Sequence, residues 1–107
     1  MNYYHKKYVE LAREIILNLV DKENTSVFLF GSRTGLNYKH DSDIDIGFLA
    51  NHKLDNKLFN KISEALEDSI VPYHIDLVDF TNVDKEFKKI ALGEIEIWNK
   101  APNSNIN

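Results

Sequence analysis

Apolar residues Tyr4, Tyr8, Leu11, Ala12, Ile15, Ile16 and Leu19 recur at spacings of three and four, which predicts one apolar face on a helix over about residues 2–22. Val27 to Phe30 is an unbroken apolar run, too short for a helix and rich in strand formers. It predicts a strand covered on both faces that stops at Gly31-Ser32. The stretch from Arg33 to Ser42 is polar and turn-prone, and from Asp43 to Leu49 the chain alternates Asp, Ile, Asp, Ile before turning apolar. That period of two predicts a second strand with one acidic face. Leu54, Leu58, Ile62, Ala65, Leu66 and Ile70 outline a second amphipathic helix, with Pro72 as its expected terminator because proline forces the residue before it out of helical geometry. His74 to Phe80 predicts a third strand. Val83, Phe87, Ile90 and Ala91 predict a third helix over about residues 83–92 with Gly93 as its stop, and Glu94 to Trp98 alternates once more.

The order α, β, β, α, β, α fits a short mixed sheet flanked by helices, an α/β (α+β) fold. No internal repeat or linker interrupts it, so residues 1–100 are expected to form a single domain, and the aperiodic APNSNIN, residues 101–107, a disordered tail. Composition narrows the picture. With 43% apolar and 11% aromatic residues, the 107-residue chain can fill one core and has no room for a second substrate-binding domain. It contains no cysteine, which removes disulfides and thiolate zinc sites and fits a reducing, cytoplasmic setting. The N-terminus carries charges throughout and reads as a helix, not a signal peptide, and no run approaches the roughly 20 apolar residues of a membrane span. Thirteen basic against seventeen acidic residues, with no long basic run, argue against direct nucleic-acid binding through phosphates.

Three features carry the candidate chemistry: Gly31-Ser32 at the end of a buried strand, Asp43-Ile44-Asp45 at the start of the next, and Asp76 in the third. Strand residues two apart share a face about 6.6 Å apart along the chain, so Asp43 and Asp45 can converge on metal while Ile44 and Ile46 enter the core. Should the third strand lie beside the second, Asp76 joins them. Like charges about 4 Å apart repel by about 1 kcal/mol in water and about 4 kcal/mol at an effective dielectric of about 20, so such a cluster calls for cations. Mg²⁺ suits oxygen donors of this kind, and a two-ion site activates an attacking oxygen and stabilises a leaving one. Gly31 allows close backbone approach to a phosphate, the Ser32 hydroxyl donates to phosphate oxygens, and Arg33 adds a charged donor. Each feature alone has an ordinary reading: a solvated strand face for D-x-D, a tight turn for Gly31-Ser32, two polar edge positions for Asp76 and Asp79. His5, His40, His52 and His74 lack paired ligand spacing.

The combination Gly31-Ser32, ten residues, Asp43-Ile44-Asp45 resembles the G-S-x10-D-x-D signature of the polymerase beta-like nucleotidyltransferases. GSRTGLNYKHDSDIDIG is similar to their minimal, single-domain branch, with PYHIDLVDF supplying the late aspartate, and the likeness spans roughly residues 5 to 98. It implies that Asp43 and Asp45 ligate two Mg²⁺ ions, that Asp76 binds the ion at the attacking hydroxyl and takes its proton, and that Gly31 and Ser32 hold the triphosphate of ATP. It also implies a partner, a HEPN-type toxin, silenced in a hetero-oligomer by transfer of AMP to a tyrosine hydroxyl. The alternatives are an antitoxin that neutralises by binding alone and a nucleotide sensor. Relatives often carry Ala where Thr34 stands and Gly where Leu36 stands; the glycine here is Gly35, so the phosphate loop is expected to run differently.

Overall fold

The computed structural model describes residues 3–30, 44–81 and 95–102. The third predicted helix, the Gly31-Ser32-Arg33 loop and Asp43 lie outside the described residues. Helix α1 spans Tyr3–Leu19, strand β1 Thr25–Phe30, strand β2 Ile44–Ala50, helix α2 Asn56–Glu67, strand β3 Ile75–Asp79 and strand β4 Glu96–Asn99.

The four strands form one sheet in the order β3-β2-β1-β4. β1 is antiparallel to both β2 and β4, while β2 and β3 run parallel. Parallel strands need a crossover, and α2 supplies it. Both helices lie on one face. Val9, Ala12, Ile16 and Val20 of the α1 segment and Leu54, Ile62 and Leu66 around α2 join Val27, Leu29, Ile44, Ile46, Phe48 and Trp98 in the main core. Alternation sends the remaining strand side chains to the opposite face, where Phe28 and Phe80 are buried with Phe30, Leu49, Val78, Ile95 and Ile97 packed around them. β1 feeds both clusters, which is why Thr25 through Leu29 are buried without a break.

Local hydrogen bonds set the element ends. Between α1 and β1, the Asp21 carboxylate accepts from the Glu23 N–H at 3.1 Å and the Asn24 side-chain amide at 2.6 Å. The Asp21 carbonyl accepts from the Thr25 N–H at 2.9 Å. The bond from Asn24, then that from Glu23, holds the exposed Asp21 carboxyl below its ordinary value of 3.8. A carboxyl depressed on folding contributes stability above its unfolded pKa and loses it as pH falls through the folded one. The urea midpoint of Asp21→Ala is therefore expected to fall below wild type at about pH 6 and to approach it at about pH 3. A gap that widens toward acid would contradict this account.

At the start of α2, the Asp55 side chain caps the helix by accepting from the Lys57 N–H at 2.9 Å. The helix ends at Glu67 with Asp68 as C-cap, four residues before the Pro72 expected to stop it. Ser69 causes the early exit: its N–H and hydroxyl both donate to the Leu66 carbonyl, and its Oγ accepts from the Val71 N–H. Ile70, assigned by periodicity to the apolar face, lies beyond the helix and is 66% exposed.

β4 lies beside β1 with a bulge. Ile97 pairs with Phe28 and Asn99 with Val27, so Trp98 is the additional residue and turns into the main core, 6% exposed. Asn99 donates its side-chain amide to the Thr25 carbonyl at 2.7 Å, and the Ala101 N–H donates to Ser26 Oγ at 2.9 Å. Ala101 is fully buried, so packing extends into the segment expected to be a tail.

Candidate active site

The acidic face of β2 meets β3 in a specific register. Asp45 pairs with Asp76, Ile44 with Ile75 and Ile46 with Leu77. Neighbouring strands lie about 4.8 Å apart, so register partners share a face and their side chains stand side by side. The isoleucines enter the main core, with Ile44 and Ile46 fully buried, and both aspartates stand on the other face. Across β1 the same row continues to Phe30, which pairs with Asp45. Phe30, Asp45 and Asp76 thus form one line across three strands, and Gly31 is the next residue after Phe30 in the chain.

Backbone bonds lock this register at both ends of the β2–β3 pair. The Ile44 N–H donates to the His74 carbonyl at 3.3 Å, and the Phe80 N–H donates to the Phe48 carbonyl at 2.7 Å. The Ala50 N–H donates to Thr81 Oγ1 at 3.1 Å, and the Thr81 N–H donates to Asp79 Oδ1 at 2.9 Å. A slip of one residue would send every side chain of β3 to the opposite face, and these bonds oppose it. They also separate two aspartates that looked alike in sequence: Asp79 fastens the strand end, while Asp76 is exposed beside Asp45.

The two paired carboxylates differ in environment. Asp45 is 3% exposed on an inner strand, whereas Asp76 is exposed on β3 at the end of the strand order. Burying one carboxylate next to another is electrostatically unfavourable, and a divalent cation offsets it. Two oxygen-donor side chains in register suit a hard ion such as Mg²⁺. Among the described residues no three potential ligands gather around one point, and the third predicted ligand, Asp43, lies outside them, as do Gly31, Ser32 and Arg33. His52 is exposed, with Nδ1 3.1 Å from the Lys53 carbonyl, and takes no part in the site. A cavity of about 370 Å³ lies at the α2–β3 connection, lined by Leu66, Val71, Tyr73 and His74 among others, and contains none of the predicted site residues.

Gly47 and Phe28 were not singled out from sequence. Gly47 follows Asp45 on the same face of β2, and a Cβ there would sit 2.2 Å from Phe28 Cε2 and 2.4 Å from Cζ. The Phe28 ring occupies the space a side chain at 47 would need. A glycine inside a strand pattern is a readable sign of such close approach, although it does not say which group approaches.

Among the described residues, a mixed sheet carries helices on one face and the paired aspartates on the other. The chain matches the family model described as "Polymerase beta, Nucleotidyltransferase" over residues 11–103, and it belongs to that family. Over 80 residues it is 31% identical to the probable protein adenylyltransferase MntA of Haemophilus influenzae, covering 75% of this chain and 68% of that protein. This likeness puts it in the minimal nucleotidyltransferase branch. Among solved structures, it is similar to a chain of the complex between tri-AMPylated Shewanella oneidensis HEPN toxin and MNT antitoxin. The TM-score is 0.55 at 25% identity, over 83% of this chain and 70% of that one. A toxin-antitoxin structure with AMP-PNP shares the fold, with a TM-score of 0.57 at 24% identity over 84% of this chain and 74% of its own.

Proposed function

We propose that this chain is the antitoxin of a HEPN-type toxin and that it neutralises its partner by transferring AMP from ATP to a tyrosine hydroxyl. The observation that carries the chemistry is the in-register pair Asp45 and Asp76, one buried and one exposed, on a row that ends at the residue before Gly31-Ser32. The partner and the transferred group are supported by the relatives: a probable protein adenylyltransferase, and a neighbour whose HEPN toxin is AMPylated.

In this reading Asp43, Asp45 and Asp76 hold two Mg²⁺ ions, while Gly31, Ser32 and Arg33 bind the triphosphate. The ions, when bound, neutralise phosphate charge and favour an ionised attacking oxygen. The acceptor oxygen forms a bond to the α-phosphorus, the bond from that phosphorus to the β-bridging oxygen breaks, and pyrophosphate leaves. In this reading exposed Asp76 takes the acceptor's proton, and buried Asp45 serves as a ligand. No helix among the described residues is long and apolar enough to cross a membrane. Dependence on ATP and the absence of cysteine favour action in the cytoplasm.

Intact-mass measurement of the cognate toxin tests the proposal. After incubation with this protein, ATP and Mg²⁺, the toxin is expected to gain one or more AMP units. Neutralisation with no gain in mass would replace transfer by occlusion. ATP binding with neither transfer nor neutralisation would leave a nucleotide sensor.

A further inference from the structure

Asp45 is buried while its register partner Asp76 is exposed, and on the side of Asp45 away from β3 lies β1. Phe30 is the β1 partner of Asp45, and paired side chains on antiparallel strands have Cβ atoms about 4.5–5.5 Å apart. The Phe30 ring is itself held, edge-on to Phe80 with centroids 5.2 Å apart and tilted against Phe28 at 6.1 Å. Phe28 in turn spreads over Gly47, the next position after Asp45 on that face, and packs against Phe80 at 5.4 Å. Aromatic surface therefore bounds Asp45 across the sheet at Phe30 and along the strand at Phe28. On its other side stands Asp76, its register partner on β3.

We infer that Phe30 is a positioning residue for cation binding: its ring walls the Asp45 carboxylate on the β1 side, excludes water from it and restricts it to orientations facing Asp76. This rests on the reading of Asp45 as a metal ligand. A carboxylate whose orientation is set before the cation arrives loses less freedom on binding and interacts through a lower local dielectric. Groups that orient a metal ligand contribute about 10- to 100-fold in affinity when they act by hydrogen bonding. A packing wall is expected at the lower end of that range.

The test is a Mn²⁺ titration of the whole protein with AMP-PNP, followed by the loss of the free Mn²⁺ paramagnetic resonance signal, with Mg²⁺ as competitor. Phe30→Ala and Phe30→Val are expected to weaken Mn²⁺ binding about 10-fold, and Phe30→Leu, which keeps an apolar wall of similar reach, about twofold. Ile62→Ala, in the core on the opposite face, is expected to lower the melting temperature and leave the affinity unchanged. Should Phe30→Ala not fold, the Val and Leu pair carries the comparison. Wild-type affinity in Phe30→Val, or an equal loss in Ile62→Ala, overturns the positioning role. Failure of the wild-type protein itself to bind Mn²⁺ overturns instead the assignment of Asp45 as a ligand.

Discussion

Asp45→Asn is expected to abolish AMP transfer while leaving the folded protein as stable as wild type or more so. On the proposed reading of Asp45 as a metal ligand, losing its charge should lower the rate on the order of a thousandfold, about 4 kcal/mol of barrier. The stability effect runs the other way. Asp45 and Asp76 are register neighbours, so their like charges repel. Asparagine nearly preserves shape and removes that repulsion, so without divalent ions the melting temperature should hold or rise. With Mg²⁺ the order should reverse, because cation binding stabilises the wild-type fold by mass action. Asp76→Asn should lose activity similarly with a smaller change in stability, since it removes the same pair repulsion but relieves no buried charge. Transfer assays beside melting curves with and without Mg²⁺ make the comparison. Retention of more than about a tenth of wild-type activity by Asp45→Asn would remove the carboxylate pair from the mechanism.

Gly47→Val should be strongly destabilising. An added Cβ would lie 2.2, 2.4 and 2.9 Å from three carbons of the Phe28 ring, and that ring is fully buried. It cannot step aside, because Phe80 and Phe30 pack against it. Overpacking of this kind costs up to about 3 kcal/mol, a large share of the roughly 5–15 kcal/mol that holds a domain together. At that upper cost the melting temperature would fall by roughly 12 to 24 °C. Combining Gly47→Val with Phe28→Ala opens the same space, so the double variant should be more stable than the sum of the two losses predicts, by at least about 0.5 kcal/mol. Additive losses would mean that the clash is relieved elsewhere. Since Phe28 and Phe30 stand beside Asp45, Gly47→Val should also reduce activity in whatever fraction remains folded.

Much of this molecule was readable in one dimension. Ile44 and Ile46 alternate with aspartates, and a period of two makes one face acidic whichever strand lies next door. Val27 to Phe30 has no polar position, so it had to be covered twice, and it is the strand that touches both cores. The D-x-D and Gly-Ser pattern pointed to the nucleotidyltransferase family, in agreement with the family match over residues 11–103. Boundaries were less legible. Pro72 looked like the end of α2, but Ser69 captured the Leu66 carbonyl first, a competition between two legal hydrogen-bond schemes that apolar spacing does not register.

What the sequence by itself determined is which faces are apolar, which strand is acidic and which residue types are available for phosphate and metal chemistry, because those follow from local periodicity and functional groups. Only the tertiary structure decided that β3 lies parallel to β2 with Asp76 opposite Asp45, and that β4 returns to flank β1. It alone placed an aromatic ring over Gly47. These are relations between segments far apart in the chain, set by which pairing buries the most apolar surface and satisfies the backbone at once, and no local pattern encodes the outcome of that competition.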